Sequence, residues 1–176
     1  MTDHGHRFTA PPPGPHGGDA PALARALGVR VGEILDLSAS MNPLAPDVAP
    51  MICRHADAAR TYPDPHAATA ALAQAMGVDG SSLLLTNGGS EAIALVAYEL
   101  GVAQVVEPEF SLWRRHLSVV QSEGSAGVGR VRSNPNNPSG RLAAGNEVAA
   151  AWDEAFYPLA TGRWTRGDAD RGALVV

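Results

Sequence analysis

The sequence predicts an α/β fold with a mostly parallel sheet and helices on both faces. Short apolar runs alternate with longer segments of helical periodicity, and glycine or proline stands at most of the junctions. Parallel strands are buried on both faces and joined by helical crossovers, so they read as short, continuous apolar runs. A length of 176 residues, of which 45% are hydrophobic, is enough for one domain with a real core.

Regular elements are predicted after a stretch rich in Pro, Gly and His, residues 1–18, which we expect to be a flexible arm. In the first half they are a helix from Asp19 to Gly28, a strand at 34–37, a helix at 47–59 and an alanine-rich helix that Asp64 and Pro65 open and Gly77 stops. In the second half they are a strand at 83–85, a helix at 90–100, a strand at 104–106, a helix at 111–120, a flexible connection at 121–129, a strand at 130–133 and an apolar run that ends at Asp153.

Charge and composition argue against several classes of protein. The net charge is −5 and no basic stripe is present, so we expect no nucleic-acid partner. No apolar run approaches the ~20 residues that span a bilayer, so we expect no membrane partner. The first residues lack the apolar core of a secretory signal, which makes a cytoplasmic location the default expectation.

Cysteine and histidine give little support for a metal site. Cys53 is the only cysteine, which excludes a disulfide framework or a zinc cluster and favours a packing role. His4, His6 and His16 lie in the predicted arm without a rigid scaffold, so a disordered tail is the better interpretation. We therefore expect no metal.

No lysine occurs anywhere in the sequence, and all thirteen basic residues are arginine. A coding bias towards arginine explains part of this composition. It does not explain the loss of a lysine needed for chemistry, because arginine stays charged and cannot act as an amine nucleophile.

The segment TNGGSEAIAL, residues 86–95, is predicted to join a strand to a helix. Its two glycines allow a tight turn, and the free N–H groups of the first helical turn would form an anion site suited to a phosphate. Alternatively, Ser90 and Glu91 are only a helix cap and an acidic residue of the first turn. These two interpretations are evenly balanced.

Two further segments carry polar groups next to strands. In SNPNNPSG, residues 133–140, two X-Pro steps hold the amides of Asn136 and Asn137 in a rigid frame, unless the segment is a plain turn. In AWDEAFYPL, residues 151–159, Asp153 and Glu154 end an apolar run. A carboxylate at the carboxyl end of a buried strand is costly without a partner, so it is commonly functional.

Seven motifs in order, HGGD, DLSASMNPL, YPDP, NGGSEAI, PEFSLW, NPNNPSG and DEAF, resemble fold-type-I enzymes that use pyridoxal 5'-phosphate (PLP), of the class I/II aminotransferase family. More narrowly, the chain resembles the cobalamin-biosynthetic group related to threonine-phosphate decarboxylase and, beyond it, histidinol-phosphate aminotransferase. The likeness runs over almost the whole chain from His16. It implies an aspartate aminotransferase-like large domain that binds PLP.

The resemblance implies a role for each matching residue. Asp153 would pair with the pyridinium nitrogen of the cofactor, and Asn137 would hydrogen-bond its phenolic oxygen. The phosphate would be received by the turn formed by Gly88, Gly89, Ser90 and Glu91. Trp113 would stack on the cofactor ring, with a core tryptophan as the alternative. Tyr62 would reach the phosphate in a neighbouring subunit, which implies a homodimer for the full-length protein, and Asn42 would line the substrate side.

The chain departs from the family pattern in three ways. Phe156 stands where many of these aminotransferases have a tyrosine that binds the ring oxygen. The spans from Trp113 to Asn134 and from Asn137 to Asp153 are shorter than in the family, which predicts trimmed peripheral elements. The sequence ends at GALVV, before the loop that bears the Schiff-base lysine in the family and before its small C-terminal domain. We therefore expect a partial PLP-binding domain over 19–176, with no catalytic residue present.

Three functional hypotheses follow from these residues. The first is the N-terminal portion of a PLP-dependent lyase or transaminase acting on a phosphorylated amino acid. A threonine-phosphate decarboxylase of cobalamin biosynthesis is favoured over a histidinol-phosphate-type aminotransferase, and this chain is expected to be inactive alone. The second is a non-catalytic module that binds PLP or a phosphate, or pairs with a separate C-terminal chain. The third is a generic phosphate-binding α/β domain.

Overall fold

The computed structural model describes residues 17–39, 41–42, 44–122 and 124–176. The chain divides into two compact units, Met1–His55 and Ala56–Val176. Of the predicted flexible arm, residues 1–18, only Gly17 and Gly18 are among the described residues. All three histidines of the arm lie outside them. The expectation of a single partial domain over 19–176 stays a prediction.

Two short helices form the regular part of the first unit. Helix α1, Ala20–Leu27, is the predicted first helix, and Gly28 ends it in the left-handed conformation at φ 67°. A 3₁₀ turn, Val31–Glu33, follows it, and helix α2 is Ala49–Arg54. The predicted strand at 34–37 is wrong, because this segment has no ladder partner among the described residues and Leu35 and Leu37 are exposed.

The second unit holds four helices among its described residues: α3 (His66–Met76), α4 (Gly89–Leu100), α5 (Ser111–His116) and α6 (Tyr157–Thr161). Helix α3 is confirmed with its stop at Gly77, whose φ is 70°. It begins at His66, one residue later than predicted, and Asp64 Oδ1 accepts the His66 N–H at 3.0 Å. The predicted helix at 47–59 is wrong in extent, because α2 is followed by a separate 3₁₀ segment, Ala56–Arg60.

Five parallel strands make one sheet in the second unit, in the order β2-β1-β3-β4-β5. They are β1 (Val102–Val105), β2 (Val119–Gln121), β3 (Arg130–Ser133), β4 (Ala151–Asp153) and β5 (Leu174–Val175). The predicted α/β class and parallel sheet are therefore confirmed.

Two predictions for the strands are wrong. Residues 83–85 are not a strand, because they have no ladder partner among the described residues. Leu83 nevertheless has extended dihedral angles. Residues 119–121 form β2, where the sequence predicted the end of a helix and the start of a flexible connection. Both errors concern pairing with distant residues, which local periodicity does not report.

One face of the sheet carries the apolar core. Alternate strand residues face it (Ala103, Val105, Val131 and Ala151), and they pack against Ile93 and Ala97 of α4 and Leu112, Trp113 and Leu117 at α5. The opposite face carries Arg132 and Trp152, which are partners in the β3–β4 register. Arg166, from a loop, places its guanidinium 4.6 Å from the centre of the Trp152 ring. Helix packing on this second face stays a prediction.

In the described part of the chain, no helix is long and apolar enough to cross a membrane.

Candidate functional site

The carboxyl edge of the sheet around β1 and β3 is the candidate functional site. After β1 the chain moves to β2 on one side, and it then returns to β3 on the other side of β1. Ligands of open α/β sheets bind outside the carboxyl ends of strands at such a reversal. The segments that leave these strand ends are 106–110 after β1, 134–150 after β3 and 154–173 after β4.

Asp153 is a buried carboxylate at the end of β4, as the sequence predicted. It is only 9% exposed. The hydrogen bonds that it accepts from described residues come from neutral donors, the Ala155 N–H at 3.1 Å and, at a longer 3.4 Å, the Ser133 hydroxyl. Burial raises its pKa above the ordinary value, and the Glu109 carboxylate adds to this effect. Asp153 is thus a buried carboxyl group held in place by neutral donors, without a cationic partner in the described structure.

Glu109 and Ser133 complete the surroundings of Asp153. Glu109 Oε2 accepts the backbone N–H of Ser133 at 3.0 Å, which ties the loop after β1 to the end of β3. Ser133 lies beside Asp153 in the register of β3 and β4. Sequence analysis missed both residues. The signal for Glu109 was present, since EPE follows an apolar run just as Asp153 does.

The NPNNPSG segment folds into a braced turn at the end of β3. Asn134 is buried, and its side-chain oxygen accepts the Ala143 N–H at 2.9 Å. Asn136 donates from its amide to the Pro108 carbonyl at 2.9 Å and accepts the Ser139 hydroxyl at 2.5 Å. Asn137 is half-buried, and its side chain makes no hydrogen bond to another described residue. These bonds brace the turn, and Asn137 retains an amide without a described partner within it.

The turn at 88–91 opens α4 as expected, with Gly88 at φ 78° and the helix beginning at Gly89. All four predicted residues, including Ser90, are exposed. The Glu91 carboxylate accepts the Asn87 N–H at 2.5 Å. This contact matches the interpretation of Glu91 as part of a helix cap, and it places a negative charge beside the proposed phosphate turn.

Trp113 is fully buried in the core cluster, together with residues such as Val105 and Val131. Its indole Nε1 has no hydrogen-bond partner among the described residues. No face of this ring is exposed to a ligand in this conformation, so the burial favours the alternative of a core tryptophan.

Tyr62 and Asn42 are both exposed. Tyr62 is 98% exposed, in the loop that precedes α3. Asn42 lies in the first unit, and its side-chain oxygen accepts the Leu44 N–H at 2.9 Å, which forms the predicted turn. The contacts of Tyr62 with a second subunit and of Asn42 with a substrate stay predictions.

Glu154 has a structural role next to Asp153. Its carboxylate accepts the Thr165 hydroxyl at 2.6 Å and the Arg166 N–H at 3.1 Å, although burial raises its pKa. These bonds anchor the loop that leads to β5. Among the described residues, no group of three or more His, Cys, Asp or Glu is placed to hold a metal ion.

No protein-family model matches this sequence, and no curated protein gives a significant match.

Proposed function

We propose that this chain binds PLP at the carboxyl edge of its sheet, through Asp153. One observation carries the proposal: a buried carboxylate at the end of a central strand accepts hydrogen bonds from neutral donors and lacks a cationic partner among the described residues. A ring nitrogen that carries a proton and a positive charge would supply that partner. When bound, the cofactor supplies an electron sink for reactions at the α-carbon of an amino acid.

Each residue of the site has a part in this proposal. Ser133 and the Ala155 N–H hydrogen-bond to the Asp153 carboxylate and orient it, and this carboxylate would hold the proton on the ring nitrogen. Asn137 offers its free amide to the phenolic oxygen. The exposed N–H groups that begin at Gly89 would receive the phosphate. Phe156 cannot donate to the ring oxygen, so Asn137 alone would make that contact.

The proposed substrate class is a phosphorylated amino acid, and a threonine-phosphate decarboxylase-like lyase of cobalamin biosynthesis is favoured over a histidinol-phosphate-type transaminase. These 176 residues contain no lysine, so their only free amine for covalent attachment is the N-terminal one. We therefore expect non-covalent binding of PLP and no release of carbon dioxide from threonine phosphate by this chain alone. The absence of lysine also supports the second candidate, a non-catalytic PLP-binding module.

A PLP titration of the full chain tests the proposal, with binding followed by cofactor absorbance. Asp153→Ala should weaken PLP binding about 10- to 100-fold, which corresponds to the loss of one charge-assisted hydrogen bond. Asp57→Ala is the matched control, because Asp57 is exposed and its ion-pair partner Arg60 is exposed as well. Equal PLP affinity in both variants would contradict the proposal and favour a generic phosphate-binding domain.

Borohydride reduction followed by mass measurement separates the two modes of attachment. We expect no adduct, or an adduct confined to the N-terminal amine. A stable PLP adduct on any other residue would show that the absence of lysine does not limit the chemistry of this chain.

A further inference from the structure

An arginine-rich cleft lies over the second face of the sheet, opposite the apolar core. Arg130 and Arg132 alternate along β3 with the buried residues Val131 and Ser133, so they face away from the core. The cleft has a volume of about 460 Å³. We call it the arginine cleft, and the lining residues that matter are Arg130, Arg132, Arg141, Asn136, Glu107 and Glu147.

The carboxylates that line the arginine cleft already have partners. Glu147 forms an ion pair with Arg132, and its other oxygen accepts the Ala144 N–H at 2.8 Å. Glu107 forms an ion pair with Arg114, which lies outside the cleft. In the described structure, no carboxylate lies within ion-pair distance of Arg130 or Arg141. Two guanidinium charges in the cleft are therefore not balanced by a described acid.

Buried donors in the cleft also lack partners. The Nε atoms of Arg130 and Arg132 are buried and make no hydrogen bond to another described residue. Such a donor costs on the order of 1–3 kcal/mol when nothing satisfies it. Burial lowers the pKa of Arg132, and Arg130 lowers it further, followed by smaller effects of Arg166 and Arg141, while the Glu109 carboxylate acts in the opposite direction. An anion in the cleft would reduce the repulsion among the arginines.

The position of the cleft suits a small ligand. It is bounded by Val106–Pro108 after β1 and by residues of the 134–150 segment after β3, which are the strands at the reversal of strand order. The described segment 134–150 forms turns and bends without a helix. Small-molecule sites commonly have volumes of roughly 300–1,000 Å³.

We propose that the arginine cleft binds the phosphate group of a small phosphorylated molecule. Guanidinium groups match phosphate oxygens in pairs, and two unbalanced arginines match the charge of a phosphate dianion better than that of a single carboxylate. This site is separate from the proposed PLP site. Arg132 is the register partner of Trp152, whereas Asp153 is the register partner of Ser133, so Arg132 and Asp153 face opposite sides of the sheet.

Isothermal titration of the full chain with inorganic phosphate, at low ionic strength, tests this proposal. We expect one phosphate per chain in the arginine cleft. Arg141→Gln and Arg130→Gln should each weaken its binding about 10- to 100-fold, because each removes charge-assisted hydrogen bonds. Arg141 is exposed, so its substitution should not affect folding. Arg115→Gln is the matched control, an exposed arginine of α5 that does not line the cleft, and it should leave the affinity unchanged.

Three results would overturn the proposal: no binding at millimolar phosphate, equal loss of affinity in Arg115→Gln and Arg141→Gln, or acetate binding as tightly as phosphate. Displacement of the bound phosphate by one equivalent of PLP in the unsubstituted chain but not in Asp153→Ala would also overturn it, because the ion would then occupy the cofactor site. Asp153→Ala distinguishes the two proposals. It should weaken PLP binding and leave phosphate binding in the arginine cleft intact.

Discussion

The two faces of the sheet differ in the charged groups that they carry: one has a buried carboxyl group and the other a group of arginines. On the core face, Asp153 is a buried carboxyl group that described neutral donors hold in place. On the other face, the buried Nε atoms of Arg130 and Arg132 lack a described acceptor, and of the two arginines only Arg132 has a described carboxylate partner, Glu147. This difference is the basis on which we propose two ligand sites of different chemistry, one for a cationic ring and one for an anion.

The largest expected change in the free energy of unfolding comes from a substitution in the apolar core. Trp113→Ala should lower the free energy of unfolding by about 3–5 kcal/mol, because the indole is fully buried in the core. Chemical denaturation measures this change, and Trp113→Phe should recover part of it. If Trp113 instead served mainly as a stacking platform, Trp113→Ala would weaken PLP binding strongly and leave the unfolding free energy nearly unchanged.

An intermediate loss of stability is expected when the Arg132–Glu147 ion pair is broken, on the face that carries the arginine cleft. Glu147→Gln should destabilise the chain by about 1–3 kcal/mol, because it leaves the largely buried Arg132 without its carboxylate. The matched control is Glu33→Gln, which breaks the exposed pair with Arg30 and should change stability far less. Added phosphate should restore part of the stability of Glu147→Gln if the arginine cleft binds this ion. If added phosphate restores none of this stability, the result would contradict an anion site in the arginine cleft.

The smallest change in the free energy of unfolding is expected from a substitution of Asp153. Burial raises the pKa of this carboxyl in the folded chain, so the folded state holds its proton to a higher pH than the unfolded state does. Its contribution to stability is therefore greatest in acid and falls as the pH rises through the raised pKa. Asp153→Asn should modestly stabilise the cofactor-free chain at neutral pH, because it removes a group whose charged form burial disfavours.

Unfolding at several pH values, in the absence of PLP, measures this difference. The gain from Asp153→Asn should shrink as the pH falls towards the ordinary pKa of an aspartate. A gain that stays constant with pH would show that the charge of Asp153 is not the cause.

Local sequence was sufficient for several parts of the fold. Gly28 and Gly77 end α1 and α3 because glycine adopts the left-handed conformation without strain. The strand at 130–133 was predicted with its bounds, and Asp153 was placed at the end of a buried strand because a charge there is costly unless it is used. Each of these inferences depends on a few neighbouring residues.

Other parts required the tertiary structure. The apolar run at 83–85 has no ladder partner in the described structure, whereas 119–121 pairs with β1, and nothing local separates the two. Trp113 fits both a core position and a stacking position in sequence, and only packing against the sheet shows that its ring is covered.

The sequence by itself determined an α/β chain with a buried carboxylate at a strand end, a glycine turn before a helix and basic residues that are all arginine. Only the tertiary structure decided which residues share a face. The alternation along β3 turns Ser133 towards Asp153 and Arg132 towards the cleft, and the β3–β4 register aligns these pairs. The physical reason is that strand pairing and burial depend on residues far apart in the chain, while caps, turns and helix stops depend on neighbours.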